Sequence, residues 1–136
     1  MTLESTVICV DNSEYCRNGD YAPTRLLAQR DAINMVARSK LKQNAENTCA
    51  LLTMANNGLA ATLTSDSAKL HSVLSRVEPG GEMKVKFFLL FNYSTSPQFG
   101  SAVRIAQLSL KHRMNKHHKQ RIIMFICSPI GKWRYN

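Results

Sequence analysis

An aspartate, an asparagine and a serine stand directly after the first apolar run of the chain, at Asp11, Asn12 and Ser13. That run, Thr6 to Val10, is rich in β-branched residues, which predicts a buried strand ending in a turn. Carboxylate and hydroxyl oxygens at the end of a strand are hard ligands of the kind that Mg²⁺ accepts. The same side chains also satisfy backbone groups in turns, and spacing alone favours this second role.

A second feature that could bind a partner is the basic stretch from Arg104 to Arg121, in a chain whose formal net charge is +9. Such charge could bind the phosphates of a nucleic acid, but the stretch has no phenylalanine, tyrosine or tryptophan for base stacking. Charges scattered around a helix and a loop are more often a solvated surface. The stretch contains Arg104, Lys111, Arg113, Lys116, Lys119 and Arg121, together with His112, His117 and His118.

Nothing in the sequence predicts catalysis. There is no nucleophile elbow, no phosphate-binding loop and no H-E-x-x-H motif, and His117-His118 has no cysteine or carboxylate at ligand spacing. The amino terminus has neither the charge nor the apolar length of a signal peptide or membrane span, so we expect an intracellular protein. The cysteines include no C-x-x-C pair, which argues against a zinc ribbon or a disulfide scaffold; they are Cys9, Cys16, Cys49 and Cys127.

The first half of the chain alternates between helical and extended patterns. Apolar residues recur every three or four positions from Pro23 to Leu41, which predicts a helix of several turns. The segment Thr48 to Met54 is continuously apolar and predicts a second buried strand. Asn56-Asn57-Gly58 then favours a hairpin into a short strand over Ala60 to Thr64.

The second half repeats this alternation. Ser65 and Asp66 can cap a helix, which Pro79-Gly80-Gly81 ends. A further helix is predicted over Ser101 to Asn115, and a fourth buried strand over Ile122 to Cys127.

Helices alternating with continuous apolar strands predict an α/β fold in three layers, with a mostly parallel, Rossmann-like sheet and helices on both faces. The length of 136 residues suits a single domain. In this architecture the loops at the carboxyl ends of the strands meet at one edge, where ligands bind. Asp11, Ser13 and Ser128 all follow strands and are expected at that edge.

Three long segments resemble the amino-terminal von Willebrand factor A domain of the proteasome's ubiquitin-receptor subunits. They are DNSEYCRNGDYAPTRLLAQRDAINMV, NAENTCALLTMAN and IAQLSLKHRMNKHHKQRIIMFICSPI. The resemblance runs from Met1 to about Ile130 except for one internal segment. It implies a von Willebrand factor A-like domain that is incomplete at its carboxyl terminus, which would leave part of the sheet unpaired.

The resemblance also implies a function. Such a domain would be a non-enzymatic docking module of the proteasome regulatory particle, in the cytoplasm and nucleus, and would help to hold the lid and base together. Polyubiquitin would bind only through motifs missing from this sequence. The alternative is a stand-alone basic module that binds nucleic acid or another anionic partner. The candidate docking residues are Asp11, Ser13, Arg17, Asp20, Lys111, Arg113 and Lys116.

The wider A-domain superfamily binds a divalent metal, and the resemblance implies where that site would lie. Asp11 and Ser13 match its Asp-x-Ser-x-Ser turn, but Tyr15 replaces the second serine and Ser128 stands in place of a later aspartate. One anionic ligand is poorly suited to dehydrate Mg²⁺. We therefore expect a degenerate site that binds no metal, with Asp11 bonding to a neighbouring subunit or organising the loop from Arg17 to Asp20.

The segment from Val85 to Gln98 interrupts the resemblance. Its fourteen residues correspond to 42 nucleotides, and valine and glutamine codons at its two ends can be those of an intron. We interpret it as a retained intron, with Lys132 to Asn136 as read-through. A genuine insertion is the alternative, because KFFLLF has the propensity of a strand and the low charge of an interface segment.

Overall fold

The chain forms a four-stranded sheet with helices on both faces, which confirms the predicted three-layer α/β fold. The computed structural model describes residues 3–12, 14–54, 58–79 and 97–127. No helix within these ranges is long and apolar enough to span a bilayer. The elements are β1 (Glu4–Val10), a 3₁₀ turn (Glu14–Arg17), α1 (Arg25–Gln43), β2 (Thr48–Thr53), β3 (Gly58–Thr64), α2 (Ser67–Ser75), α3 (Pro97–Lys111) and β4 (Lys119–Met124).

The strands lie in the order β3-β2-β1-β4, with β1 parallel to both of its neighbours. Val7 of β1 is opposite Ala50 on one side and Ile122 on the other. β3 is antiparallel to β2, with Thr53 opposite Gly58, so the Asn-Gly signal correctly predicted this pairing. The described sheet is therefore parallel at its centre and antiparallel at one edge.

β1 is buried along its whole length, as its continuous apolar run predicted. Successive side chains of a strand point to opposite faces, so the two faces of β1 contribute to different layers. Ile8 and Val10 pack in the cluster that contains residues of α1 and α2. Val7 and Cys9 pack in the cluster that contains residues of α3. This double burial makes β1 the centre of the domain.

Side-chain caps fix the starts of two helices, and the one at Asp66 was predicted. The hydroxyl of Thr24 accepts a hydrogen bond from the N–H of Leu27 at the start of α1. The carboxylate of Asp66 accepts from Ala68 and Lys69 at the start of α2. Each cap satisfies N–H groups that have no partner within the helix.

The predicted limits of α3 are wrong at both ends. The helix begins at Pro97 rather than Ser101, and proline suits a first turn because its missing N–H would be unpaired there anyway. It ends at Lys111 rather than Asn115, because the Arg113 guanidinium bonds to the carbonyl of Leu110 and closes the last turn. The interpretation of Val85 to Gln98 as an intron or insertion falls outside the described residues, apart from the two positions that begin α3.

The predicted fourth strand is displaced by three residues and is not buried. β4 covers Lys119–Met124 instead of Ile122 to Cys127, and its first three residues are exposed. Pairing begins early because the N–H of Lys119 donates to the carbonyl of Leu3 and Lys119 lies opposite Glu4. The apolar run identified the residues of β4 whose side chains pack against the domain. The backbone hydrogen bonds to β1 start earlier, at the polar residues that precede this run.

A carboxylate connects three elements at the start of the sheet. Glu4 forms ion pairs with Lys40 of α1 at 2.8 Å and with Arg121 of β4 at 3.0 Å. Its backbone N–H donates to the side-chain oxygen of Asn47 at 2.9 Å. The hydrogen bond from Lys40 is the main reason that the pKa of Glu4 lies below its usual value, and it outweighs the opposing effect of burial.

We expect Glu4→Gln to lower the free energy of unfolding by about 1–2 kcal/mol at neutral pH, because charge-assisted hydrogen bonds are lost. A carboxylate with a lowered pKa stabilises the fold above its unfolded-state pKa, and this contribution disappears as the pH falls through the folded-state pKa. The difference between wild type and variant should therefore vanish at acidic pH. Urea denaturation over a pH series measures it.

Glu46→Gln is the matched control, since Glu46 is an exposed carboxylate just before β2. It should change stability little at any pH. A pH-independent loss in Glu4→Gln would contradict the assignment to the carboxylate charge.

Candidate functional site at the carboxyl edge of the sheet

Asp11 lies where β1 ends and is 2% exposed. Its carboxylate Oδ2 accepts a hydrogen bond from the N–H of Cys127, just after β4, at 2.9 Å. Its own N–H donates to Gln29 Oε1 at 2.9 Å, and its carbonyl accepts from Gln29 Nε2 at 2.8 Å. The Cys16 thiol donates to the same carbonyl at 2.7 Å. Asp11 therefore joins β1, α1, the 3₁₀ turn and the end of β4.

Gln29 was not singled out in the sequence, although it holds both backbone groups of Asp11. It lies on the buried face of α1 with Leu26 and Ile33 and is 5% exposed. A glutamine at an apolar position of a helical stripe was the available signal, since a buried amide needs partners for its N–H and C=O groups.

The described residues around Asp11 do not fit the metal site that the superfamily implies. The Asp11 carboxylate is the one anionic ligand of that motif that the sequence keeps, and its Oδ2 already accepts the N–H of Cys127. Ser13, the side chain of Tyr15 and Ser128 lie outside the described residues. In the parts of the chain that the structure describes, no group of three histidine, cysteine, aspartate or glutamate side chains could hold an ion. The arrangement favours a hydrogen-bonded edge over a cation site.

The loop after the 3₁₀ turn is exposed and is held at both ends. Arg17 donates to the carbonyl of Pro79 at 2.8 Å, and the N–H of Arg25 is bonded to the carbonyl of Asn18 at 2.9 Å. The Arg25 guanidinium binds both oxygens of Asp20, at 2.8 and 2.7 Å. These hydrogen bonds lower the pKa of Asp20. Asp20 is therefore an ionised, positioned surface group.

Arg25 extends this arrangement to β4, because its guanidinium also donates to the carbonyl of Cys127 at 2.7 Å. A shallow cleft of about 420 Å³ lies along this contact. Tyr21 and Ile126 flank it and expose 66% and 39% of their surfaces. The cleft is lined by Tyr21, Arg25, Ala28, Gln29, Phe125, Ile126 and Cys127.

The basic candidates lie elsewhere. Lys111 is the last residue of α3, and Arg113 and Lys116 lie between α3 and β4. β4 starts opposite Glu4, at the amino end of β1. Arg113 donates to the carbonyls of Leu110 and Lys116, and the Lys116 ammonium donates to the carbonyl of Lys111. The candidates therefore form two groups at opposite edges of the sheet, with Asp11, Arg17 and Asp20 at the carboxyl edge.

Comparison with known proteins identifies the fold. Residues 6–129 match the model of the von Willebrand factor type A domain. The chain belongs to this family. Over 96% of its length it is also 41% identical to a solved structure, the SpRpn10 VWA domain, with a TM-score of 0.79 and 63% of that chain covered. The BatB protein of Bacteroides thetaiotaomicron shares the fold at 18% identity, with a TM-score of 0.66, 89% of this chain and 52% of that one covered.

Curated relatives with the same domain are proteasome subunits. The chain is 47% identical to the 26S proteasome non-ATPase regulatory subunit 4 of Drosophila melanogaster, over 96% of this chain and 30% of that protein. It is 42% identical to the 26S proteasome regulatory subunit rpn10 of Schizosaccharomyces pombe, over 96% of this chain and 49% of that protein. The chain thus spans less than half the length of these relatives. These comparisons bear out the resemblance of the three quoted segments.

We expect Gln29→Leu to destabilise the domain by about 1–3 kcal/mol, because the buried N–H of Asp11 would lose its acceptor. Urea denaturation of both proteins measures the difference. Gln43→Leu is the control, since Gln43 is exposed at the end of the same helix. Equal effects of the two substitutions would contradict the proposed role of Gln29.

We also expect no micromolar binding of Mg²⁺ or Mn²⁺, because a single carboxylate engaged with a backbone N–H cannot replace the hydration shell of a small cation. Isothermal titration calorimetry with each chloride salt should give no saturable heat. The Asp11→Asn variant should give the same trace. Micromolar affinity that this substitution abolishes would show that the edge is a metal site.

Proposed function

We propose that the chain is a non-enzymatic docking domain of the proteasome regulatory particle, acting in ubiquitin-dependent protein degradation in the cytoplasm and nucleus. Its partners in this proposal are other regulatory-particle subunits. Ubiquitin contacts are assigned to sequence outside this stretch, as the resemblance to the receptor subunits implies.

The observation that carries the proposal is the extent of the similarity to proteasomal A domains. Identity of 41% with a TM-score of 0.79 extends over 96% of the chain, so it includes the surface loops as well as the core. Core similarity alone would support only the fold, because unrelated functions share this architecture. Loop and edge positions are where binding functions are usually located.

The carboxyl edge provides one docking surface, formed by Arg17, Asp20, Tyr21 and Ile126. An exposed aromatic ring and an isoleucine lie beside a fixed arginine–aspartate pair. Aromatic anchors within a polar rim are typical of protein interfaces. Asp11 is buried beneath this surface, so we assign it the role of organising the edge rather than contacting a partner directly.

The basic edge provides a second surface, formed by Lys111, Arg113 and Lys116. Arg113 and Lys116 bond to carbonyls of the turn after α3, which fixes their positions. The Lys111 side chain is exposed at the end of the helix. Positive charge at the rim of an interface accelerates and orients association with an acidic partner.

The basic edge does not support the alternative function, a module that binds nucleic acid. The described residues between Arg104 and Arg121 include no phenylalanine, tyrosine or tryptophan on which a base could stack. Two of the three basic side chains also bond to local carbonyls. A salt-sensitive shift of RNA or DNA would nevertheless be the result that revives this alternative.

We expect Lys111→Glu to slow incorporation of the chain into regulatory particles by about tenfold at low salt, because reversal of a rim charge mainly lowers the association rate. The assay adds the purified chain to regulatory particles from cells depleted of it and follows the bound fraction by native electrophoresis. Raising the salt concentration should reduce the difference between variant and wild type.

Lys42→Glu is a closely matched control. Lys42 is an exposed lysine in the last turn of α1, as Lys111 is in the last turn of α3, so both substitutions disturb a helix terminus in the same way. Incorporation of the control at the wild-type rate is expected. If wild-type chain fails to enter the particles, the docking proposal itself is wrong.

A further inference from the structure

Two cysteine side chains lie beside a single amide at the carboxyl edge. The Gln29 Nε2 atom is 3.4 Å from the sulfur of Cys127 and 3.9 Å from the sulfur of Cys16. Cys16 belongs to the 3₁₀ turn, and Cys127 follows β4. Two sulfurs that share one hydrogen-bond donor are near neighbours although 110 residues separate them in sequence. Neither cysteine is part of a disulfide.

The two thiols differ in access to solvent. Cys127 is half-buried and lines the open cleft with Tyr21 and Arg25. Cys16 is fully buried behind it, where its thiol donates to the carbonyl of Asp11. An accessible thiol with a second one behind it is the arrangement found in cysteines that oxidise and then form a disulfide.

The surroundings of Cys127 act on its acidity in both directions. Burial is the largest effect and raises its pKa, while a hydrogen bond with Cys16 and the charge of Arg25 act to lower it. Burial raises the pKa of Cys9 and of Cys49 to about 11, and at Cys49 the charge of Lys40 offsets only part of this effect. Cys127 is also the least buried of the four cysteines, so it is the thiol that an oxidant meets first.

We propose that Cys16 and Cys127 form a peroxide-sensitive pair that closes to a disulfide between the 3₁₀ turn and the end of β4. This proposal does not depend on the proteasomal function. A disulfide here would covalently link the start of the exposed loop from Arg17 to Asp20 to the last strand of the described sheet. The position of that loop would then depend on the oxidation state of the pair.

The chemistry balances with hydrogen peroxide as the oxidant. The thiolate of Cys127 attacks one peroxide oxygen, the O–O bond breaks, and water leaves after protonation, so that Cys127 becomes a sulfenic acid. The sulfur of Cys16 then attacks the Cys127 sulfur, the S–O bond breaks, and the hydroxyl leaves as water with the Cys16 proton. Two thiols lose two hydrogen atoms in total, and one peroxide becomes two waters.

The test treats the purified chain with hydrogen peroxide, blocks remaining thiols and maps the products by mass spectrometry without reduction. Trypsin alone is insufficient, because the fragment ending at Arg17 carries both Cys9 and Cys16. A second digestion after Glu14 separates them. The expected product is a cross-linked pair of fragments containing Cys16 and Cys127, lighter by two hydrogen atoms than the reduced fragments, which dithiothreitol separates again.

Variants then assign the steps. Cys16→Ala should stop the reaction at the Cys127 sulfenic acid, which dimedone labels, and Cys127→Ala should leave Cys16 as a free thiol. Cys49→Ala is the control and should keep the cross-link, because Cys49 packs in the core. The wild-type map needs no variant to fold. Wild-type protein that remains reduced, that is oxidised at Cys127 without linking to Cys16, or that links other cysteines would overturn the proposal.

Discussion

The structure of the carboxyl edge depends on how the backbone groups of Asp11, at the end of β1, are hydrogen-bonded. Asp11 is the first residue beyond the central strand, yet it is as buried as the strand itself, so its N–H and carbonyl need partners away from water. Gln29 supplies both, one through each end of its amide. Because the Asp11 carboxylate then accepts the N–H of Cys127, one residue holds α1 and the end of β4 in register with β1. The shape of the whole carboxyl edge depends on this arrangement.

That arrangement also supports the proposed docking role of the edge over a cation site. A metal site keeps carboxylate oxygens directed at a shared point, whereas here the described oxygen contacts belong to backbone groups of neighbouring segments. Internal hydrogen bonds leave the outer surface to Tyr21, Ile126 and the Asp20–Arg25 pair. In the proposed docking role, a surface group already held in place, such as the Asp20–Arg25 pair, loses little entropy when a partner binds, which is the advantage of a preorganised interface.

The sequence was sufficient to predict the elements and their layers because apolar periodicity reflects burial directly. β1, β2, α1 and α2 were all predicted close to their observed positions, and Asp66 caps α2 as predicted. The errors in α3 and β4 have one physical origin. Helix ends and strand ends are fixed by backbone partners, such as Leu110 for Arg113 and Leu3 for Lys119, and these partners are distant contacts or local bonds that periodicity does not encode.

The residues of the candidate site divide in the same way into those that the sequence predicted and those that it missed. Asp11 was found because a carboxylate after a buried strand is unusual enough to be noticed locally. Gln29 and Arg25 were missed because their importance comes from residues 18 and 102 positions away, Asp11 and Cys127. Both arginine and glutamine are ordinary residues on a helix, and only the tertiary fold makes them structural partners of the edge. Functional positions of this domain are therefore found by asking which buried backbone groups lack a partner in the sheet, rather than which side chains are chemically reactive.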